Sequence, residues 1–173
     1  MIGQKVQGGL MPAATISHLE RRKIEAGVLI PMVQAFQRAL GKERANAIAG
    51  DVIVELARKD GAEWAKRFGD DLPAMEKVSG VWADGGGLEL EQLKASQERL
   101  EFNVTGCGYA EFYREFGLPE LGYLFHCSRD FAMVEGFSGS VTLERTQTIM
   151  EGADHCDFRF GRKHERSGRP TRG

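Results

Sequence analysis

The sequence predicts an α+β fold, with N-terminal helices packed on a small antiparallel sheet in the order helices, β, β, α, α, β, β. Three observations carry this. Apolar residues recur at three-, four- and seven-residue steps through the first half of the chain, which is a helical period. After Asp84-Gly85-Gly86-Gly87 the step becomes two, the period of strands with one wet face. A second helical stretch follows, and the two-residue step returns near the carboxyl end. At 173 residues the chain has the size of one domain. We assign that domain to residues 1–161 and a basic, disordered tail to residues 162–173.

The elements follow in order. Over residues 17–40, Leu19, Ala26, Ile30, Val33 and Leu40 keep helical spacing behind a capping Ser17, and Gly41 ends the segment. Pro31 is expected to kink or divide this helix. A second helix over residues 43–68 places Ala47, Ile48, Val52, Leu56 and Trp64 on one side and stops at Gly69. A shorter one covers residues 73–82. Leu88 and Leu90 alternate with glutamates, then Leu100, Phe102 and Val104 alternate with Glu101 and Asn103, giving two strands. Residues 110–116 read as helix, broken at Gly117-Leu118-Pro119. Residues 120–136 form another, with Leu124, Cys127, Phe131 and Val134 on its apolar side. Strands over residues 141–149 and 156–160 close the fold around a turn at Gly152-Ala153-Asp154.

Composition excludes several function classes. Twenty-three basic residues nearly balance 25 acidic ones, so net charge points to neither a nucleic-acid nor a membrane partner. The segment GRKHERSGRPTRG is locally basic without an apolar period. No stretch approaches the ~18 apolar residues of a membrane span, and the amino terminus lacks a signal-type apolar core. A cytoplasmic location is expected. Three cysteines, Cys107, Cys127 and Cys156, are an odd, widely spaced set, which suits free thiols in a reducing compartment.

Two stretches hold chemistry. In HCSRD, Cys127 and Asp130 stand three apart on a predicted helix and share a face lined by Tyr123, Leu124, Phe131 and Val134. A carboxylate beside an apolar stripe needs a partner or a task, and Arg129 and Arg145 are the candidate partners. In EGADHCDF, Cys156 points the same way as Phe158 and Phe160, toward the interior, where a free cysteine commonly serves as a small hydrophobe.

The segments RRKIEA (residues 21–26), CGYAEFYREFGLPELGYLFHCSRD (107–130) and ERTQTIMEGADHCDFRF (144–160) together resemble the L-2-amino-thiazoline-4-carboxylic acid hydrolase family. The T-x-x-x-x-G-x-x-x-C-D-F spacing is the most specific part. The resemblance implies a soluble bacterial enzyme that opens a small sulfur- or nitrogen-containing ring by hydrolysis. More distantly, the same segment order resembles the 4-vinyl-reductase-type ligand-binding domain. Its relatives include sensory modules of transcription activators and subunits of transport-particle tethering complexes. Zinc-binding members of that group use a central-helix cysteine with a glutamate and two cysteines of the final hairpin. Cys127 and Cys156 match two of these ligands, but Thr148 and Arg145 stand at the other two, and an arginine cannot ligate zinc. No metal and no cofactor is expected, although the three thiols and a histidine are ligands of suitable type.

The expected function is therefore hydrolysis of a small cyclic carbon–nitrogen substrate such as a thiazoline, cyclic amide or amidine. Its class competitor is a non-catalytic, small-molecule-binding sensory domain of the 4-vinyl-reductase type, with zinc as an open alternative. The catalytic candidates are Cys127, Cys156 and Cys107, in that order as nucleophile, with Asp130 or His155 moving protons. A thiol near Arg145, His155 or a helix end is expected to have a lowered pKa; direct activation of water by Asp130 is the open alternative. The substrate-binding candidates are Arg22, Glu25, Arg145 and Thr148, the arginines as carboxylate grips. Beyond a small cyclic substrate the expected partner is at most a second copy in a homodimer, with no nucleic acid and no membrane.

Overall fold

The computed structural model describes residues 16–163. Its order is α1 (His18–Leu40), α2 (Lys42–Phe68), α3 (Leu72–Ala83), β1 (Leu88–Ala95), β2 (Arg99–Cys107), α4 (Gly108–Glu115), α5 (Pro119–Gly122), a π-helical turn (Tyr123–Cys127), α6 (Arg129–Phe137), β3 (Val141–Glu144), a 3-10 turn (Ile149–Glu151) and β4 (Cys156–Arg162). This is the α+β architecture that the periods predict. The four strands form one antiparallel sheet ordered β1-β2-β4-β3. β4 continues through Arg162, one residue into the stretch assigned to the tail, and the rest of the basic segment from residue 164 lies outside the described residues.

Ser17 caps α1 as expected, accepting from the Glu20 amide while Glu20 reaches back to the Ser17 amide. Pro31 does not divide the helix. The carbonyl its missing N–H leaves free belongs to Gly27, on the exposed side, where water can serve it. Gly41, at φ +85, turns the chain straight into α2.

The inward face of α2 is not the one the spacing indicates. Ala45, Ile53, Ala57 and Gly61 are buried, while Ile48, Val52 and Leu56 are exposed, as is Leu40 at the end of α1. The reason is close packing. α2 lies against both α1 and α6, and small side chains on its inner face let α6 approach until the Gly61 backbone meets the Met133 carbonyl. A helix apolar on two sides gives a spacing argument no means of choosing between them.

The sheet core is as expected. Leu100, Phe102 and Val104 of β2 face Phe160, Phe158 and Cys156 of β4 in register, and Phe102 stacks on Phe158 at 5.2 Å. β1 is an edge strand with register shifts at Glu89/Leu90 and Gln92/Lys94, so Leu90 is exposed rather than inward. The helix expected over 120–136 is interrupted. The Ser128 amide bonds the Tyr123 carbonyl, five residues back, at 2.9 Å. That one extra residue turns Phe131 outward. The strand expected to run to 149 ends at Glu144, because Asp157 captures the Thr146 and Gln147 amides at 2.8 and 2.9 Å and replaces the ladder. No helix among the described residues is long and apolar enough to cross a membrane.

Candidate active site

These departures build a cavity. α1 contributes Arg22 and His18, α2 Asp60 and Trp64, β2 Cys107, and α4 Tyr109. The π-helical turn adds His126 and Cys127, α6 Arg129 and Asp130, the segment after β3 Arg145, and β4 Cys156. The cavity, partly open to solvent, has a volume of about 90 Å³, several times the ~10–15 Å³ that one water needs. That volume suits a small ring.

Six of the nine expected site residues line this space: Cys107, Cys127, Cys156, Asp130, Arg145 and Arg22. The other three do not. His155 lies beyond the hairpin, half-buried, bonded to Asp154 at 2.6 Å and to Gln147. Thr148 is buried but occupied: its hydroxyl accepts the Glu151 amide and donates to the Glu151 carboxylate, capping the 3-10 turn. Glu25 sits at the rim, paired with Arg22 at 2.6 Å.

Arg145 is the pivot. Its guanidinium is almost wholly buried, ion-paired with Asp130, donating to the Cys127 carbonyl at 3.1 Å and lying over the rings of Phe131 and Phe158. Asp130 thus has the partner that its place in the sequence demanded, inside the protein rather than in solvent. Stranding either partner of such a pair costs on the order of 3–5 kcal/mol. Across the cavity Asp60 bridges two guanidiniums, Arg22 at 3.1 Å and Arg129, and Glu25 at the rim supplies the second negative charge through Arg22. Arg22 Nε is buried and has no acceptor among the described residues. An orphaned guanidinium N–H is costly alone and a ready donor to a guest.

Electrostatics overturns the expectation of an activated thiol. Burial pushes Cys107 up to about 11. Burial, then the Asp130 charge, lifts Cys127 still further, and burial raises Cys156. Arg145 acts in the opposite sense on Cys127 and Cys156 but does not prevail. Asp130 moves into the useful range instead: burial pushes it up to about 6 against the pull of Arg145 and Arg129.

Several lining residues were not legible as site residues. His126 is half-buried and meets the Tyr113 hydroxyl at 3.2 Å. His18 meets the Tyr109 hydroxyl at 2.8 Å, and Tyr109 donates to the Trp82 carbonyl. The only signal for His18 was its four-residue spacing from Arg22; Asp60 gave none. Arg159 donates to the Phe102 and Phe158 carbonyls and to Asn103 and does not line the cavity.

Burial, then nearby arginines, lowers the pKa of His18 to about 4 and that of His126 well below its usual value. A depressed folded pKa gives stability that is present above the unfolded value of ~6.5 and lost as pH falls through the folded one. The urea midpoint should therefore drop between pH 7 and 4.5, with His18 contributing on the order of 3 kcal/mol. Asp130, shifted up, works in the opposite direction over part of that window but is one group against two. A midpoint that holds or rises on acidification would show that the histidines are not held neutral.

Among the described residues no three His, Cys, Asp or Glu side chains are grouped to hold a metal ion. The three thiols line the cavity together with the Arg145 cation, which repels a metal ion. The donor set does not fit zinc.

No curated protein sequence matches the chain. Among solved structures, the phenol-responsive sensory domain of the transcription activator PoxR with phenol is similar at 18% identity and a TM-score of 0.49, covering 78% of this chain and 72% of that one. A trafficking protein particle complex subunit 3 from Naegleria fowleri, covalently bound to palmitic acid, is similar at 13% identity and a TM-score of 0.45, covering 82% and 97%. Neither likeness bears on chemistry. The family model described as L-2-amino-thiazoline-4-carboxylic acid hydrolase matches residues 21–160, across both halves of the cavity, and the chain belongs to that family.

Proposed function

We propose that the cavity hydrolyses a carbon–nitrogen bond in a small cyclic substrate of the thiazoline, cyclic amide or amidine type. Asp130 is the general base, water the nucleophile, and Arg22 the grip on a substrate carboxylate. The observation that carries this reading is the Asp130–Arg145 pair in the cavity wall: a carboxylate at about 6 is well matched to proton transfer near neutral pH, whereas the surrounding thiols stay protonated. The family name supports hydrolysis as the reaction class and a thiazoline carboxylate as the first substrate to try.

Asp130 takes a proton from water as its oxygen bonds to the ring carbon of the C=N or C=O group. Asp130 returns that proton to the ring nitrogen: at a C=O carbon the carbon–nitrogen bond breaks with this transfer, and at a C=N carbon it breaks when the adduct hydroxyl gives up a second proton through Asp130 and becomes the carbonyl. The carboxylate ends as it began. Arg145 holds Asp130 in place, and the protonated thiols supply a polarisable wall beside the ring.

The test is a product assay with 2-aminothiazoline, hydantoin and lactam carboxylates. Hydrolysis of at least one is expected, and binding of all three without turnover would favour a sensory domain. Arg22→Lys, which keeps the charge but removes the Nε donor, should raise KM about tenfold with kcat nearly unchanged. An equal effect on an analogue lacking the carboxylate would place Arg22 outside the substrate.

A further inference from the structure

α1 and α2 present an apolar face that the domain leaves uncovered among the described residues. Ile24, Val28, Met32, Phe36 and Leu40 stand at steps of four along α1, and Ile48, Val52 and Leu56 at steps of four along α2. Each is between 44% and 64% exposed. The two rows lie side by side. At one end Gln37 bonds Asn46 across the helices at 2.8 Å, and at the other Ile24, Val28 and Leu56 line one cleft. Residues 26–37 of α1 contain no ionisable side chain at all. Solvated helix faces carry charges, whereas the core of an interface is depleted of them.

We propose that this face binds a second copy of the chain, α1 and α2 of one protomer packing on α1 and α2 of its partner about a two-fold axis. Three features select a second copy over a foreign partner. At roughly 100 Å² for each of the eight side chains, the face offers ~800 Å² per protomer, the share of a standard stable interface and more than a monomer usually leaves open. Four-residue ridges on both helices interdigitate with an identical set, the commonest helix packing, so the face is complementary to itself. Along the middle of α1 the face is hydrocarbon without charge and gives a partner of different chemistry nothing to recognise, while on α2 the neighbouring Glu55 is already paired with Lys59. The dimer would also wall the cleft in which Ile24, Val28 and Leu56 lie beside Arg22 and His126, closing that approach to the cavity.

Light scattering and sedimentation of the full chain test this. The wild type should show twice its 19.1 kDa chain mass. Val28→Glu and Val52→Glu, both facing solvent in the single chain, should keep the wild-type circular dichroism and run as monomers at about 100 µM, a loss of at least ~100-fold in dimer affinity. Leu93→Glu, exposed on β1, should leave the dimer intact. A wild type that stays monomeric at about 100 µM overturns the proposal, including by a terminal segment folding over the face. So does a dimer that survives both valine substitutions or falls apart with Leu93→Glu.

Discussion

Asp130→Asn should reduce kcat by about 1000-fold and leave KM close to that of the wild type, whereas Cys127→Ala should keep turnover within about tenfold. The asparagine preserves shape and can still accept a hydrogen bond from Arg145 but leaves that buried cation without its counter-charge, so the urea midpoint and circular dichroism of the variant are measured beside its kinetics to separate lost chemistry from a loosened wall. What disappears is the one group poised to take a proton near neutral pH. The wild-type pH profile supplies the independent check: kcat/KM should fall as pH drops through about 6, where Asp130 gains its proton. The opposite pattern, with Cys127→Ala inactive and trappable adducts in the wild type, would make the thiol the nucleophile. The substrate itself would then have to offset the burial that keeps the thiol protonated.

Gly61→Ala should cost more than about 4 kcal/mol, enough to unfold an ordinary domain. A Cβ at Gly61 would fall inside the Met133 carbonyl and 2.7 Å from the Phe137 amide nitrogen; one at Gly136 would fall inside the Arg58 carbonyl. These obstacles are backbone and cannot rotate aside, so the helices must part. Gly136→Ala should behave alike. Gly80→Ala is the contrast. That position is exposed in α3 with nothing within 4 Å of an added Cβ, and the change should stabilise by up to ~1 kcal/mol through helix propensity. Chemical denaturation of the three variants checks the order. A tolerated alanine at Gly61 would mean that α2 and α6 are further apart than described.

Much of the fold was legible because periodicity and caps are local. Ser17, Gly41 and Gly69 mark helix ends, and Phe102, Phe158 and Phe160 alternate as inward strand residues must. The π-helical turn at residues 123–127 was not, since no spacing rule distinguishes it from continuous helix. The early end of β3 was not either, because it depends on Asp157 reaching backbone eleven residues away. Cys127, Cys156, Asp130 and Arg145 were nameable from residue type and the family resemblance, and they do line one space. Their electrostatic states were hidden, because burial is a property of the whole packing. Thus Arg145 near a thiol implied a lowered pKa, while desolvation gives the reverse. Asp60 and His126 lacked any cue, as their partners Arg129 and Tyr113 are brought to them only by tertiary structure.

The single additional residue between α5 and α6 has an evolutionary corollary. One residue advances a helix by about 100°, so a gene losing any one codon from this turn would encode a smooth rod whose downstream half is rotated by more than a quarter circle. Such a descendant could keep its outline and its sheet while carrying the carboxylate of Asp130 away from the chamber. On the role proposed for Asp130, a one-position gap here would separate hydrolytic relatives from silent ones.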